Sequence, residues 1–213
     1  MTTTTSSQVR TSPTGTLRSE GHHAAPEGRA TAPPGVRGRW ITRRWPTLLG
    51  IALGAVMLAD LEEGSEVAVV LLIAALGYLA TAALARPGAI WAVVGLEVAA
   101  VVGLQLLDVD PTPVLAVGAG LLAVAMVLGA GRKGPRPGAW YPALTLVFLA
   151  CGVVGAWASP TLAGVVVGLG LLGHAAWDAL HWRRHLVVRR SFAEWCGVLD
   201  TMLGVGVLLV VLG

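Results

Sequence analysis

Charged residues are scarce in this chain of 213 residues, at 13%, whereas soluble domains carry roughly 25%. Apolar residues make up 55% of the sequence. Together these proportions exclude a soluble globular domain. The charge is also uneven, because nine of the 27 charged side chains fall within the first 44 residues. Residues 45–213 are therefore predicted to lie in a membrane.

Cysteine and lysine are scarce as well. The two cysteines, Cys151 and Cys196, both lie in apolar segments, which excludes a secreted disulfide framework. Lys133 is the only lysine beside fourteen arginines, and alanine, glycine, valine and leucine dominate, so we expect a high-GC bacterial source. The net charge of +3 does not indicate nucleic-acid binding, since basic residues in a multi-pass protein first orient its loops. Membrane lipids are the expected partners.

Residues 1–44 are rich in Thr, Ser, Pro and Gly and have no apolar periodicity. Such a segment buries too little surface to offset its chain entropy, which predicts a disordered tail. His22 and His23 lie in it, but a solvated tail without further ligands is the favoured interpretation. No short apolar stretch precedes Thr47, so a cleaved signal peptide is not expected.

Seven apolar segments follow the tail. A membrane-spanning helix needs about 20 apolar residues, and the first segment is short by that measure. The loops are too short to form domains, so residues 45–213 are predicted to form one all-α, polytopic bundle of seven transmembrane helices. The segments cover approximately residues 46–59, 67–85, 89–107, 113–130, 142–158, 161–180 and 195–213.

The basic residues in the loops predict the orientation, because Lys and Arg near helix ends favour the cytoplasmic side. Alternate connections carry all of them, and the opposite connections carry none. The N-terminus is therefore predicted to be cytosolic and the C-terminus external, in a bacterial cytoplasmic membrane. The basic set is Arg86, Arg132, Lys133, Arg136, Arg183, Arg184, Arg189 and Arg190; the opposite loops hold Asp60, Glu62, Glu63, Glu66, Asp108 and Asp110.

Glu97 is the deepest charged residue in the chain. It lies nine residues into the third apolar segment, close to the predicted midplane at about 1.5 Å per residue. A charge there is costly, so a functional interpretation as a proton or ion site is favoured over a purely structural acid.

The sixth segment carries His174, Asp178 and His181 at positions i, i+4 and i+7. Helical geometry places these three within about 60° of one another on one face. His185 would extend the stripe if the helix continued. Imidazole and carboxylate side chains on one face suit a divalent metal, zinc or iron, and equally suit a proton relay.

The last segment adds Cys196 and Asp200, again at i and i+4. It enters the membrane from the same side as the sixth segment leaves it, so Asp200 and His174 are expected at similar depth, in the cytosolic leaflet. The short connection makes the sixth and seventh helices neighbours. A site of His174, Asp178, His181, Asp200 and Cys196 follows. The structural alternative is a helix clamp in which Asp200 pairs with His174.

Two further patterns have structural interpretations. Ser191 and Glu194 have the S-x-x-E spacing of a capping box at the start of the last helix. Gly50 with Gly54, and Gly164 with Gly168, have the four-residue spacing that lets helices approach closely.

The stretch 173–204, with its GHAAWDALH and AEWCGVLD runs, resembles the C-terminal signature of multi-pass membrane proteins of unknown activity from high-GC bacteria. This resemblance covers the last fifth of the chain and implies no activity. Seven spans with His and Asp are also similar to membrane metallohydrolases of the alkaline ceramidase type. Those enzymes have two His separated by three residues in the last helix, whereas the last segment here has none.

Three hypotheses of function follow. The first is a membrane metalloenzyme that acts on a lipid-like substrate at the His/Asp site. The second is a proton-coupled small transporter that uses Glu97 and the His/Asp stripe. The third is a non-catalytic membrane accessory protein in which the polar residues only clamp helices.

Overall fold

The computed structural model describes residues 36–59, 61–128 and 140–213. In this part of the chain the architecture is all-helical, and each predicted apolar segment overlaps one α-helix. The predictions for residues 1–35, including His22 and His23, lie outside the described residues, as do Arg132, Lys133 and Arg136. The helices are α1 (Val36–Ala59), α2 (Ala68–Leu84), α3 (Ile90–Leu106), α4 (Pro111–Leu128), α5 (Trp140–Trp157), α6 (Pro160–Arg184) and α7 (Arg190–Leu212).

Within residues 36–59, 61–128 and 140–213, five helices are long and apolar enough to cross a membrane: α2, α3, α4, α6 and α7, the first two together with the short turns that precede them. The apolar part of α5, Ala143–Trp157, is shorter. Large apolar side chains also cover the outside of the bundle, for example Leu96 (72% exposed), Leu121 (67%) and Leu209 (69%). An apolar exterior of this extent is typical of a surface that contacts lipid rather than water.

Helices α6 and α7 form the closest pair, as the short connection between them predicts. Small residues allow this contact. A methyl group added at Gly204 would lie 2.9 Å from the carbonyl oxygen of Gly168, and one added at Gly164 would meet the side chain of Val211. The predicted role of Gly164 and Gly168 is therefore confirmed.

Around this pair, α5 packs against both α6 and α2, and α2 also contacts α3 and α4. On the other side, Gly50 and Gly54 of α1 pack against α7, at the backbone of Trp195 and the side chain of Met202. The close approach predicted for these two glycines is thus confirmed too. The result is a bundle in which α2 and α6 are the most enclosed of the membrane-length helices.

The first helix starts earlier than its apolar segment. It begins at Val36, inside the stretch predicted as a tail, and continues through Pro46. A proline within a helix removes one backbone hydrogen bond, and α1 nevertheless continues through it. The segment was predicted from apolar residues alone, and the residues before Pro46 are largely charged or polar. The ten residues before Pro46 give α1 the length that the apolar segment lacks.

The capping-box interpretation of Glu194 is wrong. The residue that precedes α7 is Arg189, and its side chain makes no capping hydrogen bond. The Glu194 carboxylate instead accepts a hydrogen bond from the Thr47 hydroxyl at 2.5 Å and pairs with Arg44 at 3.4 Å. Ser191 accepts a hydrogen bond from the Trp91 indole at 3.3 Å. The side chains of Glu194 and Ser191 therefore bind residues of α1 and α3. The spacing of residues along one helix does not reveal such contacts.

Helix α6 ends before His185 can join its polar stripe. His185 has a left-handed backbone with φ of 51°, and its N–H donates to the His181 carbonyl at 2.9 Å. Its side chain is exposed. The turn at His185 therefore limits the buried stripe to His174, Asp178 and His181.

Candidate metal centre between helices α6 and α7

Four of the five residues predicted to form a site come together between α6 and α7. One donor atom from each of His174, Asp178, Cys196 and Asp200 lies within 4.8 Å of the other three. The side chains of His174, Asp178 and Asp200 are fully buried, and Cys196 is 3% exposed. The described residues thus contain a compact set of imidazole, thiol and two carboxyl groups inside an apolar bundle.

His174 lies at the centre of this set. Its Nδ1 is 2.7 Å from Asp200 Oδ2 and 3.3 Å from Asp178 Oδ2. The Cys196 thiol donates to Asp200 Oδ2 at 3.6 Å. The prediction that His174 and Asp200 lie at similar depth is confirmed. The i, i+4 spacing explains the local arrangement, because it stacks Asp178 over His174 on α6 and Asp200 over Cys196 on α7.

Gly197 lets the two helices meet at this level. A methyl group there would lie 3.1 Å from the Cβ of Asp178. The missing side chain leaves the space in which the Asp178 carboxyl reaches the other donors. The centre thus depends on a small residue next to Cys196 as well as on the donors themselves.

Sequence reasoning missed Tyr78, which α2 contributes to the same centre. Its hydroxyl donates a hydrogen bond to Asp178 Oδ1, and its ring is fully buried. This contact leaves Asp178 Oδ2 to face His174. Tyr78 therefore determines that Oδ2, and not Oδ1, is the Asp178 oxygen that faces the other donors.

Aromatic rings enclose the histidines. Tyr78 packs edge-on against His174 at 5.1 Å between ring centroids, and Phe148 packs against it from α5 at 5.0 Å. The chain has only two tyrosines and two phenylalanines, and all four are buried in this region. That concentration is the signal in the sequence that could have identified the missing neighbours of the site: Tyr78, Tyr141, Phe148 and Phe192.

The structure does not bring His181 into the four-residue set. Its Nδ1–H donates to the Trp177 carbonyl at 2.8 Å, one turn earlier on α6. The ring is enclosed by Tyr78, Trp177 and Tyr141 at 4.6–5.9 Å between centroids. Tyr78 contacts both histidines, and so lies between His181 and the set.

Several buried polar atoms of the centre make no hydrogen bond to the described residues. They are His174 Nε2, Asp178 Oδ2, Asp200 Oδ1 and His181 Nε2. Buried polar atoms in native proteins almost always have a hydrogen-bond partner in the protein, or else contact an ion or an ordered water. Unsatisfied donors and acceptors around two carboxyls and an imidazole are the pattern that a cation site presents.

The donor chemistry fits a divalent transition metal. Imidazole, thiolate and carboxylate are ligands of zinc and of non-haem iron, whereas calcium and magnesium prefer oxygen ligands alone. The charge of the set also favours a cation, since two ionised aspartates and the Cys196 thiolate around a neutral His174 carry −3, of which one divalent cation neutralises two. Without a cation, two carboxylates in this apolar interior would be costly.

Glu97 lies apart from this centre, on α3, which packs against α2. It is the eighth of 17 residues in α3 and 9% exposed, and its Oε2 faces Gly77. Tyr78, which follows Gly77 on α2, donates its hydrogen bond to Asp178 on α6. The two polar sites therefore lie on different sides of α2.

Comparison of the chain with protein-family models, with curated proteins and with solved structures finds no match. The geometry of the site is therefore the basis for the function proposed below.

Proposed function

We propose that this chain is a multi-pass protein of a bacterial cytoplasmic membrane that binds a divalent transition metal, zinc or iron, between α6 and α7. The observation that carries the proposal is the buried set of His174, Asp178, Cys196 and Asp200, with donor atoms within 4.8 Å. A metal held there would link two helices that also pack through glycines.

The alternative of a simple helix clamp explains less of the site. A clamp between α6 and α7 needs only the hydrogen bond from His174 to Asp200. It gives no reason for a second fully buried carboxyl, Asp178, 3.3 Å from the same imidazole nitrogen. Two carboxylates that share the single imidazole of His174 leave one negative charge without a positive partner, which costs several kcal/mol on the order-of-magnitude scale for buried ions. A divalent cation offsets that cost by neutralising the second charge.

The membrane topology is part of the proposal. Seven crossings with a cytosolic N-terminus agree with the complete separation of basic from acidic loops and with one helix per apolar segment. A C-terminus after Gly213 would then be external. Alkaline phosphatase fused there should be active, and green fluorescent protein fused there through the general export route should be dark. The opposite pair of results would contradict the seven-span topology.

Metal content is the experiment that tests the proposed function. The full-length protein, tag-free and with His22 and His23 changed to alanine, is purified in detergent from cells grown with zinc and iron. Inductively coupled plasma mass spectrometry should find close to one zinc or iron per chain. The same protein with His174→Ala should have lost most of it.

His181→Ala is the matched control, since it removes an equally buried imidazole on the same helix that lies outside the four-residue set. It should keep the metal. Loss in both variants with intact folding would assign a wider site, and absence of metal from all three proteins would refute the proposal and leave the helix clamp.

A catalytic role is a further step. The donors are buried beneath the rings of Tyr78 and Phe148, an enclosure more typical of a metal that is held than of one that meets substrate. The lipid-like substrate therefore stays a prediction of the sequence. If the substrate is lipid-like, the metal-loaded protein should convert a component of a bacterial lipid extract, and the Asp200→Asn protein should not. Mass spectrometry of the lipids measures this.

A further inference from the structure

Glu97 is a buried acid, and no ion pair links it to any of the described residues. It lies at the middle of α3, 9% exposed, and its Oε2 has no hydrogen-bond partner among the described residues. Helices α2 and α4 pack along α3, and neither carries a charged residue. Helices α1 and α7 contact α3 at Trp91, six residues before Glu97, through Trp45, Ser191, Phe192 and Trp195. The other atoms nearest to a methyl group added at Gly77 belong to Val94 and Ile90, which are apolar side chains of α3.

Gly77 provides the space for this carboxyl. A methyl group added there would lie 3.2 Å from Glu97 Oε2 and 2.9 Å from the side chain of Val94. The glycines of α3 itself have no such neighbour: a methyl group at Gly95 or Gly103 would meet nothing within 4 Å. The α2–α3 contact is therefore shaped around the acid at this one level.

The polar side chains of α2 carry no positive charge. Thr81, one turn from Gly77, is fully buried, and its hydroxyl also lacks a partner among the described residues. Tyr78 is engaged with Asp178 on the α6 side. An ionised carboxylate in such a place is so costly that the group takes up a proton instead.

Much of the surface of α3 faces outward, although Ile90, Val94 and Val101 are buried with Glu97. Leu96 and Val98, the neighbours of Glu97 in the chain, are 72% and 45% exposed on the apolar exterior. The helix thus forms a thin wall between the acid and the surface that contacts lipid. A small apolar molecule dissolved in the bilayer has a short path to the carboxyl.

We propose that Glu97, in the pocket that Gly77 leaves between α2 and α3, is a proton-binding site that is separate from the metal centre and reachable from the lipid. The ligand is a proton, which the carboxyl takes up as a neutral acid and releases at higher pH. This proposal does not depend on the metal, because the two sites lie on different sides of α2.

Dicyclohexylcarbodiimide, an apolar reagent, tests the site because it reacts with protonated carboxyls. The carboxyl proton moves to one nitrogen of the reagent while the carboxyl oxygen bonds to its central carbon. The acyl group then shifts to nitrogen and leaves a stable N-acylurea, so nothing departs from the adduct. The full-length protein is treated in lipid vesicles over a range of pH, and the modified residue is identified by peptide mass spectrometry.

We expect modification at Glu97 that decreases as the pH is raised, since only the acid form reacts. Glu97→Gln should abolish it, whereas Glu63→Gln, at an exposed loop acid, should leave it unchanged. A water-soluble carbodiimide with an added amine should show the opposite selectivity and label the loop acids. Asp178 and Asp200 should be spared, because they are fully buried under aromatic rings.

Three results would overturn the proposal. They are an unmodified Glu97 in folded protein, modification that does not change with pH, and protection by sodium or potassium ions at constant pH. The last would make Glu97 a ligand for a metal cation rather than for a proton.

Discussion

At the scale of residues, metal binding depends on which atom of each polar side chain faces the other donors. Asp178 has two oxygens with different partners: Oδ1 accepts from Tyr78, and Oδ2 faces the His174 imidazole. Second partners of this kind orient metal ligands in proteins and affect how strongly the metal binds. Tyr78 therefore acts as a positioning residue for Asp178.

Tyr78→Phe tests this role. The change keeps the ring that packs against His174 and removes only the hydroxyl. We expect the fold to persist and the metal affinity to fall by about 10- to 100-fold, the usual effect of losing such a partner. Competition with a chelator of known affinity measures it.

Thr81→Val is the control for Tyr78→Phe, since it also removes a buried hydroxyl from α2, three residues further along. It should leave the metal affinity unchanged. Equal affinity in wild type and Tyr78→Phe would show that the tyrosine contributes packing alone.

Single residues also show what the sequence could reveal about the site. His174, Asp178, Cys196 and Asp200 were predictable because each pair repeats at four residues within one helix. Tyr78 was not, because its partner Asp178 is 100 residues away in the sequence and only the packed bundle brings them together. Glu194 was assigned wrongly for the same reason, since its partners are on α1.

At the scale of elements, the α6–α7 pair determines whether the site exists. The pair is held by direct backbone approach, as at Gly204, where a methyl group would lie 2.9 Å from the Gly168 carbonyl oxygen. Atoms of a backbone cannot move aside as a flexible side chain can. The distance between the helices is therefore set by these glycines, and so is the separation between donors on α6 and donors on α7.

Gly204→Ala should push α7 away from α6. We expect a loss of about 1–3 kcal/mol in stability, the usual cost of overpacking, together with reduced metal content. Thermal unfolding in detergent and elemental analysis of the same sample measure the two effects.

Gly103→Ala is the matched control, because the same added methyl group would meet nothing within 4 Å. It should change neither quantity. A Gly204→Ala protein as stable as wild type and with full metal content would contradict the close approach of the two backbones.

The elements were largely predictable from the sequence, and their ends were not. Each long apolar run gave one helix, because a segment in lipid must satisfy its backbone hydrogen bonds internally. The start of α1 lies ten residues before the predicted start, in a charged stretch that hydropathy does not assign. Helix α6 ends in a left-handed turn at His185, a position that glycine usually occupies, so the sequence did not indicate this end.

At the scale of the whole molecule, two polar sites share one apolar bundle. The candidate metal centre lies between α6 and α7 and is closed by aromatic rings, whereas Glu97 lies at the outer helix α3. Helix α2 contacts both, through Tyr78 on one side and Gly77 on the other. The outward faces are apolar, which suits contact with lipid, and the buried acidic side chains of the described residues all lie at these two sites.

X-ray absorption spectroscopy at the zinc edge of the zinc-loaded protein identifies the atoms bound to the metal, and so decides whether these four residues hold it. We expect one sulfur at about 2.3 Å together with nitrogen and oxygen at about 2.0–2.2 Å. In Cys196→Ser the sulfur should vanish while the lighter ligands remain. A first shell without sulfur in the wild type, or a sulfur that persists in Cys196→Ser, would contradict the assignment of the metal to His174, Asp178, Cys196 and Asp200.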